Sequence, residues 1–553
     1  MTKIKEASLP WYRNDLTILA GLALLKIMIH LPILTRYGYH ADELYFIACG
    51  QHLAFGYVDH APLVPWIAYL STTLFGESLF ALRILSTLSG AAAVFFTGLL
   101  TGRLGGGRFA QVAACAAMII APVYLRTGNM LCLPAFEPLF WVLGYYILVR
   151  IIQEDNPKLW PYLGLVVGIG LMNKHSMLFF GFGLAVGLLL TPLRKHFKSP
   201  YLYAAGGIVL LIFLPNLIWQ INNDWLTFKF MVNLKTRVMS GISALQFLAG
   251  QLLYLHPFNA VLWISGLLFF FFSKQTGDDA APSPEKNETK QKFFGGAGGD
   301  FSKKPPARRR QEKNNLKAKH PYRILGWLWL SVFILLVVTK SKIYYLAPAY
   351  TVLLAGGGIA VERWLRRRNK KWLKPAIITL LFLGGTAMAP LSVPLMDIDT
   401  TEKYIHKVTF GAFKNIYELT RDLRGMFGWK ERLAGLAKVY HSLPAEEQQR
   451  TVIWAAGYGN AGAVDYFGGA YGLPKAVALG MNYWLWGVPE GPIDTVIGMG
   501  FKKETMEIFF NKVELAAEIE LENVNPWWRK FPITLCREPK DPLPEIWKRN
   551  RPF

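Results

Sequence analysis

Cysteine is scarce in this chain. The four present, Cys49, Cys115, Cys132 and Cys536, show no C-x-x-C spacing, and only Cys536 lies beyond residue 394, so neither a disulfide framework nor a zinc site is indicated. Acid is also in short supply, with 37 Asp and Glu against 60 Lys and Arg and a formal net charge of +23. Such an excess raises the question of nucleic acid, and its placement answers it. Pro394 to Phe553 holds 20 Lys/Arg and 20 Asp/Glu, so the whole excess belongs to the earlier residues and no nucleic-acid partner is expected. Those earlier residues also lack the polar face of a soluble helix over long stretches: Leu16 to Leu34, Leu79 to Leu100, Pro161 to Leu171 continuing through Met177 to Leu190, and Ala204 to Trp219.

A hydrocarbon core about 30 Å thick needs roughly 20 apolar residues per helix, which predicts about eleven spans before residue 393. With a cytoplasmic N-terminus, the inside loops 1–13, 102–108, 150–158, 193–198, 274–323 and 363–374 hold 30 Lys/Arg, and the outside loops hold eight. The positive-inside rule therefore fixes the orientation, and an odd number of spans puts the C-terminal segment outside. No cleavable signal with a small-residue site precedes Leu16, so the first span is expected to remain. Residues 274–320 are charged, rich in Pro and Gly and nearly without apolar content, and read as a disordered cytoplasmic loop. The first external loop, 35–77, is long, with a stretch from Pro62 to Phe75 suited to lying along the membrane surface.

The sequence thus divides into an α-helical polytopic membrane domain, 1–393, and a C-terminal soluble α/β domain, 394–553. The second is read from strand-like runs at Thr451 to Ala456, Ala476 to Leu479, Asp494 to Met499 and Val513 to Leu521, alternating with helical runs at Lys430 to Leu443 and Lys503 to Asn511. Within it Gly457-Tyr458-Gly459-Asn460-Ala461-Gly462 satisfies G-x-G-x-x-G between a strand and a helix. A dinucleotide site, a sugar or phosphate held by backbone amides, and a plain tight turn all answer that pattern. The second strand ends at Leu479-Gly480-Met481-Asn482, without the acid a ribose requires.

Chemistry needs charge, and the external loops of the membrane domain carry only six acids: Asp42, Glu43, Asp59, Glu77, Glu137 and Asp224. Charges at the bilayer edge are costly unless paired or solvated, so these are candidates by default. Asp42 and Glu43 are adjacent; in a helix from Glu43 to Leu53 they point about 100° apart, so one faces a substrate while the other caps or orients. Asp59-His60 precedes Pro62, where a helix start offers amides to an anion, or where Asp59 is simply a cap. Arg83, Lys174, Lys340 and Lys342 stand outside against the positive-inside trend, which suggests a phosphate-bearing lipid, although snorkelling accounts for any one of them. Lys26 and His30 inside the first span are expected to bond a neighbouring helix.

Tyr39-His40-Ala41-Asp42-Glu43-Leu44-Tyr45, Asp59-His60-Ala61-Pro62-Leu63, Leu82-Arg83, Gly168 to Lys174 and Lys342-Ile343-Tyr344-Tyr345-Leu346-Ala347-Pro348 resemble the multi-span GT-C glycosyltransferases, the bacterial group related to protein O-mannosyltransferases and aminoarabinose-lipid A transferases. The resemblance covers the membrane domain and is most specific in the first loop. Segments such as Phe427-Gly428-Trp429, Gly457 to Gly462 and Tyr483 to Gly487 are similar to the C-terminal domain of a subgroup. It implies a GT-C fold, Asp42 as catalytic base with Glu43 beside it, and a donor-phosphate site comprising His60, Arg83, Lys174, Lys340, Lys342 and Tyr345. Asp59 and Glu137 support that site. His60 departs from the lysine of the group's pattern, Ala61 from a proline, and Glu137 from an aspartate.

The resulting expectation is inverting sugar transfer from a polyprenyl-phosphate-sugar donor to a lipid, glycan or protein acceptor of a bacterial envelope, at the inner membrane and among membrane lipid. No cofactor or metal is implied, although a divalent metal is not ruled out. A transporter or flippase of lipid-linked sugars and a non-catalytic relative that binds lipid carriers are the rival readings; the first lacks the buried acids or inverted repeats it needs, and intact Asp42 and Glu43 speak against the second.

Overall fold

The computed structural model describes residues 15–234, 242–273, 320–408 and 416–551. The loop expected at 274–320 lies, save for His320, outside the described residues. The first part is helical. Leu79–Arg103, Leu133–Glu154, Pro200–Asn222, Ile343–Arg367 and Leu373–Leu391 are long and apolar enough to cross a membrane. Two bent pairs, Met177–Leu189 with Pro192–Lys198 at 109° and Ala244–Leu255 with Pro257–Phe272 at 99°, bring the number to seven among the described residues. The expectation of about eleven spans also counted apolar runs that form shorter helices, such as Asp15–His30, Arg108–Ile120, Trp160–Asn173 and Arg323–Val338. The breaks have local causes. Pro192 and Pro257 cannot continue the preceding helix, and His256 before Pro257 sits at φ 60°.

Small residues let these helices approach closely where no hydrophobic effect drives association. A Cβ on Gly266 would lie 2.0 Å from the Leu353 carbonyl oxygen, and one on Gly357 would lie 1.9 Å from that of Leu262, so the two helices cross backbone to backbone. The first helix is tied in by its two polar residues, as expected. Lys26 Nζ donates to the carbonyls of Ile119 (3.2 Å) and Tyr124 (2.9 Å), at the break after Ile120 where a chain turn leaves acceptors without helical partners.

The C-terminal part is built on a five-stranded sheet: β1 (Thr451–Ala455), β2 (Ala476–Val477), β3 (Thr495–Met499), β4 (Phe510–Glu520) and β5 (Lys530–Pro539). The order is β2-β1-β3-β5-β4, with β1 parallel to β2 and β3, and β5 antiparallel to β3 and β4. Four strands fall where alternation predicts them. β5 was not foreseen, because Pro532 and Pro539 punctuate it, and the helix expected to reach Asn511 stops at Met506 as β4 begins at Phe510. Along β1 the side chains alternate: Val452 and Trp454 join a core with Met506, Leu543 and Trp547, while Ile453 and Ala455 face the other way.

That second face is not closed by the domain itself. It shares one apolar core with the loop at 35–77 and the start of helix Leu79–Arg103: Leu44, Phe46, Tyr57, Val64 and Leu82 belong to the same cluster as Leu433, Ile453, Val464, Ile497 and Phe531. The loop forms two helices, Ala41–Gln51 and Leu63–Phe75, and is pinned from the membrane side where Asn216 Nδ2 donates to the Phe55 carbonyl (2.7 Å).

The close helix crossing yields a test. Gly357→Ala forces helices apart that meet through backbone and is expected to lower stability in detergent by about 1–3 kcal/mol. Gly207→Ala, which meets nothing within 4 Å, serves as the control and is expected to leave the thermal melt of the purified protein unchanged.

Candidate active site

Helix Ala41–Gln51 is capped by His40, whose Nδ1 accepts the amide of Asp42 (3.2 Å) while Glu43 Oε2 accepts the amide of His40 (2.8 Å). This reciprocal arrangement satisfies two first-turn donors. Neither acid is the cap, contrary to the simplest reading of the sequence. Both sit in the first turn, where the helical repeat sends them to different faces.

Glu43 goes inward and is fully buried. Its Oε1 accepts from Arg83 Nε (2.8 Å) and the Leu131 amide (2.9 Å), and its Oε2 accepts from Arg83 Nη2 (2.7 Å) as well as from His40. Arg83 spends its remaining reach on the carbonyls of Leu34 (2.6 Å) and Gly38 (2.7 Å). Two sequence expectations change here. Arg83 is not available to a donor phosphate, and Glu43 does not face substrate, because each is enclosed and saturated by the other and by backbone.

Asp42 goes outward, its side chain 40 % exposed. Oδ1 accepts a hydrogen bond from the Tyr458 hydroxyl (2.8 Å), which arrives from the C-terminal domain. Oδ2 lies 3.8 Å from His40 Nδ1, a nitrogen already used as an acceptor. The charge of Asp42 acts on Arg126, Lys342, Tyr344 and Asp59. Arg421 also acts on Lys342 and Tyr458, from helix Ile416–Arg424. Burial, with Lys174 close by, draws the Lys342 ammonium below its ordinary range, and among the described residues Lys342 makes no ion pair. The charge of Asp42 first, and burial second, holds the Tyr458 phenol far above the usual range, so it remains a donor.

The Asp59-His60 pair is built differently from the expected phosphate grip. His60 is 1 % exposed and walled by the rings of Tyr45, Phe46 and Tyr57. Its Nδ1 meets the Ala61 carbonyl (3.0 Å), and its Nε2 lies 3.7 Å from Asp59 Oδ1. Tyr45 donates to the same oxygen (2.8 Å). Enclosed in this way, His60 cannot reach a lipid phosphate directly, which corrects its expected role. Burial raises the Asp59 carboxyl above its ordinary range.

Lys174 lies at the break after helix Trp160–Asn173 and donates to Glu137 Oε2 (2.7 Å), while Ser176 donates to Oε1 of the same carboxylate. The ammonium also sits 4.4 Å from the centre of the Tyr345 ring. Lys174, Glu137 and Tyr345 therefore form one group, as anticipated. Lys340 is exposed at a left-handed turn (φ 51°) and makes no ion pair among the described residues. No group of three His, Cys, Asp or Glu side chains there is arranged to hold a metal ion.

The G-x-G-x-x-G segment resolves into a docking surface. Gly457 adopts φ 91° at the strand-to-helix turn, and a Cβ on Gly459 would lie 2.7 Å from Ala41 Cβ, and one on Gly462 3.0 Å from the Leu44 carbonyl carbon. Gly459 and Gly462 bring helix Tyr458–Phe467 against helix Ala41–Gln51. Sequence reading missed Tyr458, Arg126 and Arg421. Arg126 was visible as one of eight external cations, and the glycine motif marked the position of Tyr458 without its role.

Residues 59–219 match the family described as dolichyl-phosphate-mannose-protein mannosyltransferase. The lipid A galacturonosyltransferase RgtD of Rhizobium johnstonii is 25 % identical over 262 residues, 45 % of this chain and 54 % of that protein, so the chain spans about half the length of this curated relative. Crystal structures of ArnT from Cupriavidus metallidurans, bound to undecaprenyl phosphate and in the apo state, superpose with TM-scores of 0.55 and 0.53 at 12 % and 13 % identity, each covering 94 % of this chain and 97 % of ArnT. The fold is the ArnT-like GT-C fold with a small C-terminal sheet domain, and the resemblance drawn from the first loop holds.

Removing one partner of a buried ion pair leaves the other uncompensated, at a cost of about 3–5 kcal/mol. Arg83→Met is expected to lower the melting temperature of the purified protein sharply, and Glu43→Met with Arg83→Met to recover much of it. A single variant as stable as the parent would contradict the structural role of the pair.

Proposed function

We propose that this chain is a membrane glycosyltransferase that moves a sugar from a polyprenyl-phosphate carrier to an envelope glycolipid of the lipid A class, with inversion at the anomeric carbon. The observation that carries the reading is Asp42: a carboxylate with one oxygen held and one open, at the surface of the membrane part, among Lys342, Arg126 and Arg421. That is an arrangement of a base facing cations, which is what displacement of a phosphate from a sugar requires.

In this reading the acceptor hydroxyl attacks the anomeric carbon and loses its proton to Oδ2 of Asp42. The new C–O bond forms as the bond from the anomeric carbon to the phosphate oxygen breaks. The electron pair leaves with polyprenyl phosphate, whose charge is met by Lys342, with Lys174 beside it against Tyr345. The name of RgtD and the undecaprenyl phosphate in the ArnT structure support the choice of acceptor and carrier. We further propose that the N-terminus is cytoplasmic in a bacterial inner membrane, that the sheet domain is external, and that the division falls near residue 393, on the strength of the loop charge count.

Purified protein in detergent, supplied with undecaprenyl-phosphate-linked galacturonic acid or aminoarabinose and with lipid A, tests the reading. Asp42→Asn is expected to reduce transfer by at least about 10²-fold, while undecaprenyl phosphate still raises the melting temperature as it does for the parent. Lys342→Ala is expected to weaken that undecaprenyl phosphate effect by about tenfold in affinity. Full transfer by Asp42→Asn would dismiss Asp42 as the base.

A further inference from the structure

We propose that Tyr458 of the C-terminal domain is a positioning residue for the base, fixing the Asp42 carboxylate through its Oδ1 so that Oδ2 alone receives the acceptor proton. The inference rests on the reading of Asp42 given above and assigns to the sheet domain a part in the reaction.

Three observations carry it. The hydroxyl of Tyr458 donates to Oδ1 at 2.8 Å, within the range of a full-strength bond to a charged acceptor. The helix that bears Tyr458 is held against the helix that bears Asp42 by glycines with no room for a side chain, at Gly459 over Ala41 and Gly462 over Leu44. The phenol ring is itself packed against Tyr45, 5.0 Å between centroids, and Tyr45 is anchored at Asp59 (2.8 Å) and at the Asn482 amide (3.2 Å). The donor is therefore rigid, and rigidity is what allows a hydrogen bond to select one rotamer of an exposed aspartate.

The other ionisable groups around Asp42 do not supply this restraint. His40 accepts the Asp42 amide through the nitrogen nearest Oδ2 and so has no proton there in its neutral form. Arg126 is ion-paired with Asp422. Asp59 repels, and Lys342 and Tyr344 act on Asp42 through their fields, with no hydrogen bond to it among the described residues.

Tyr458→Phe removes one hydroxyl and leaves the ring packing in place. The expected result is a fall in kcat of about tenfold or more, an unchanged KM for the donor and an unchanged melting temperature with undecaprenyl phosphate. Asp42→Asn in parallel separates the two claims. Full activity in that variant means the base assignment is wrong, whatever Tyr458→Phe does. Inactive Asp42→Asn with parental kcat in Tyr458→Phe overturns the role of Tyr458. A loss in Tyr458→Phe confined to KM or to the melting temperature overturns it equally, since that is the mark of a packing role.

Discussion

The buried contact between Glu43 and Arg83 is the constraint on which the site is hung. Two charges removed from water are tolerable only when they are paired and hydrogen-bonded, and here they are. The carboxylate accepts from Arg83, from the Leu131 amide and from its own helix cap, and the guanidinium reaches back to Leu34 and Gly38 at the root of the loop. The pair thereby joins the end of the first helix, the start of the loop helix, the second long helix and the segment at Leu131. Asp42 follows Glu43 out of that junction by one residue. Its direction toward the opening is a consequence of where its neighbour is held.

Around that fixed point the charges divide by burial. Glu43 with Arg83 and Glu137 with Lys174 are enclosed pairs, and both orient backbone and side chains. Lys342 and Asp42 are the members that keep open valence toward a ligand. In the proposed reaction a phosphate would meet the Lys342 ammonium and an acceptor hydroxyl the free oxygen of Asp42. The proposed base and the group that meets the leaving phosphate come from segments 300 positions apart in the chain.

Much of this was legible in the residues, and the limits have physical reasons. The helical membrane part, the α/β character of the C-terminal part and the adjacency of Asp42 and Glu43 follow from periodicity and turn chemistry, which are local. Which of the two acids faces outward is decided by Arg83, forty positions on, and local pattern cannot carry that. The same holds for His60: the motif Asp59-His60-Ala61-Pro62 suggests a helix start open to an anion, and the rings of Tyr45, Phe46 and Tyr57 close it. The glycine motif at 457–462 was read for a ligand because its spacing suits one. Its glycines are spent on another helix, and only the fold could say so. Proline and 3₁₀ turns break several apolar runs that look continuous on a hydropathy argument.

The core shared by the first loop and the sheet domain has a consequence in time. Leu44, Tyr57 and Val64 are made early, and the residues that cover them, from Leu433 to Phe531, are made last. At about 5–20 residues per second, the roughly 400 residues between them take on the order of 20–80 s to appear. During that interval the apolar face of the loop is uncovered and Asp42 is without Tyr458. The surroundings of Asp42 are therefore completed only when the last segment of the chain arrives.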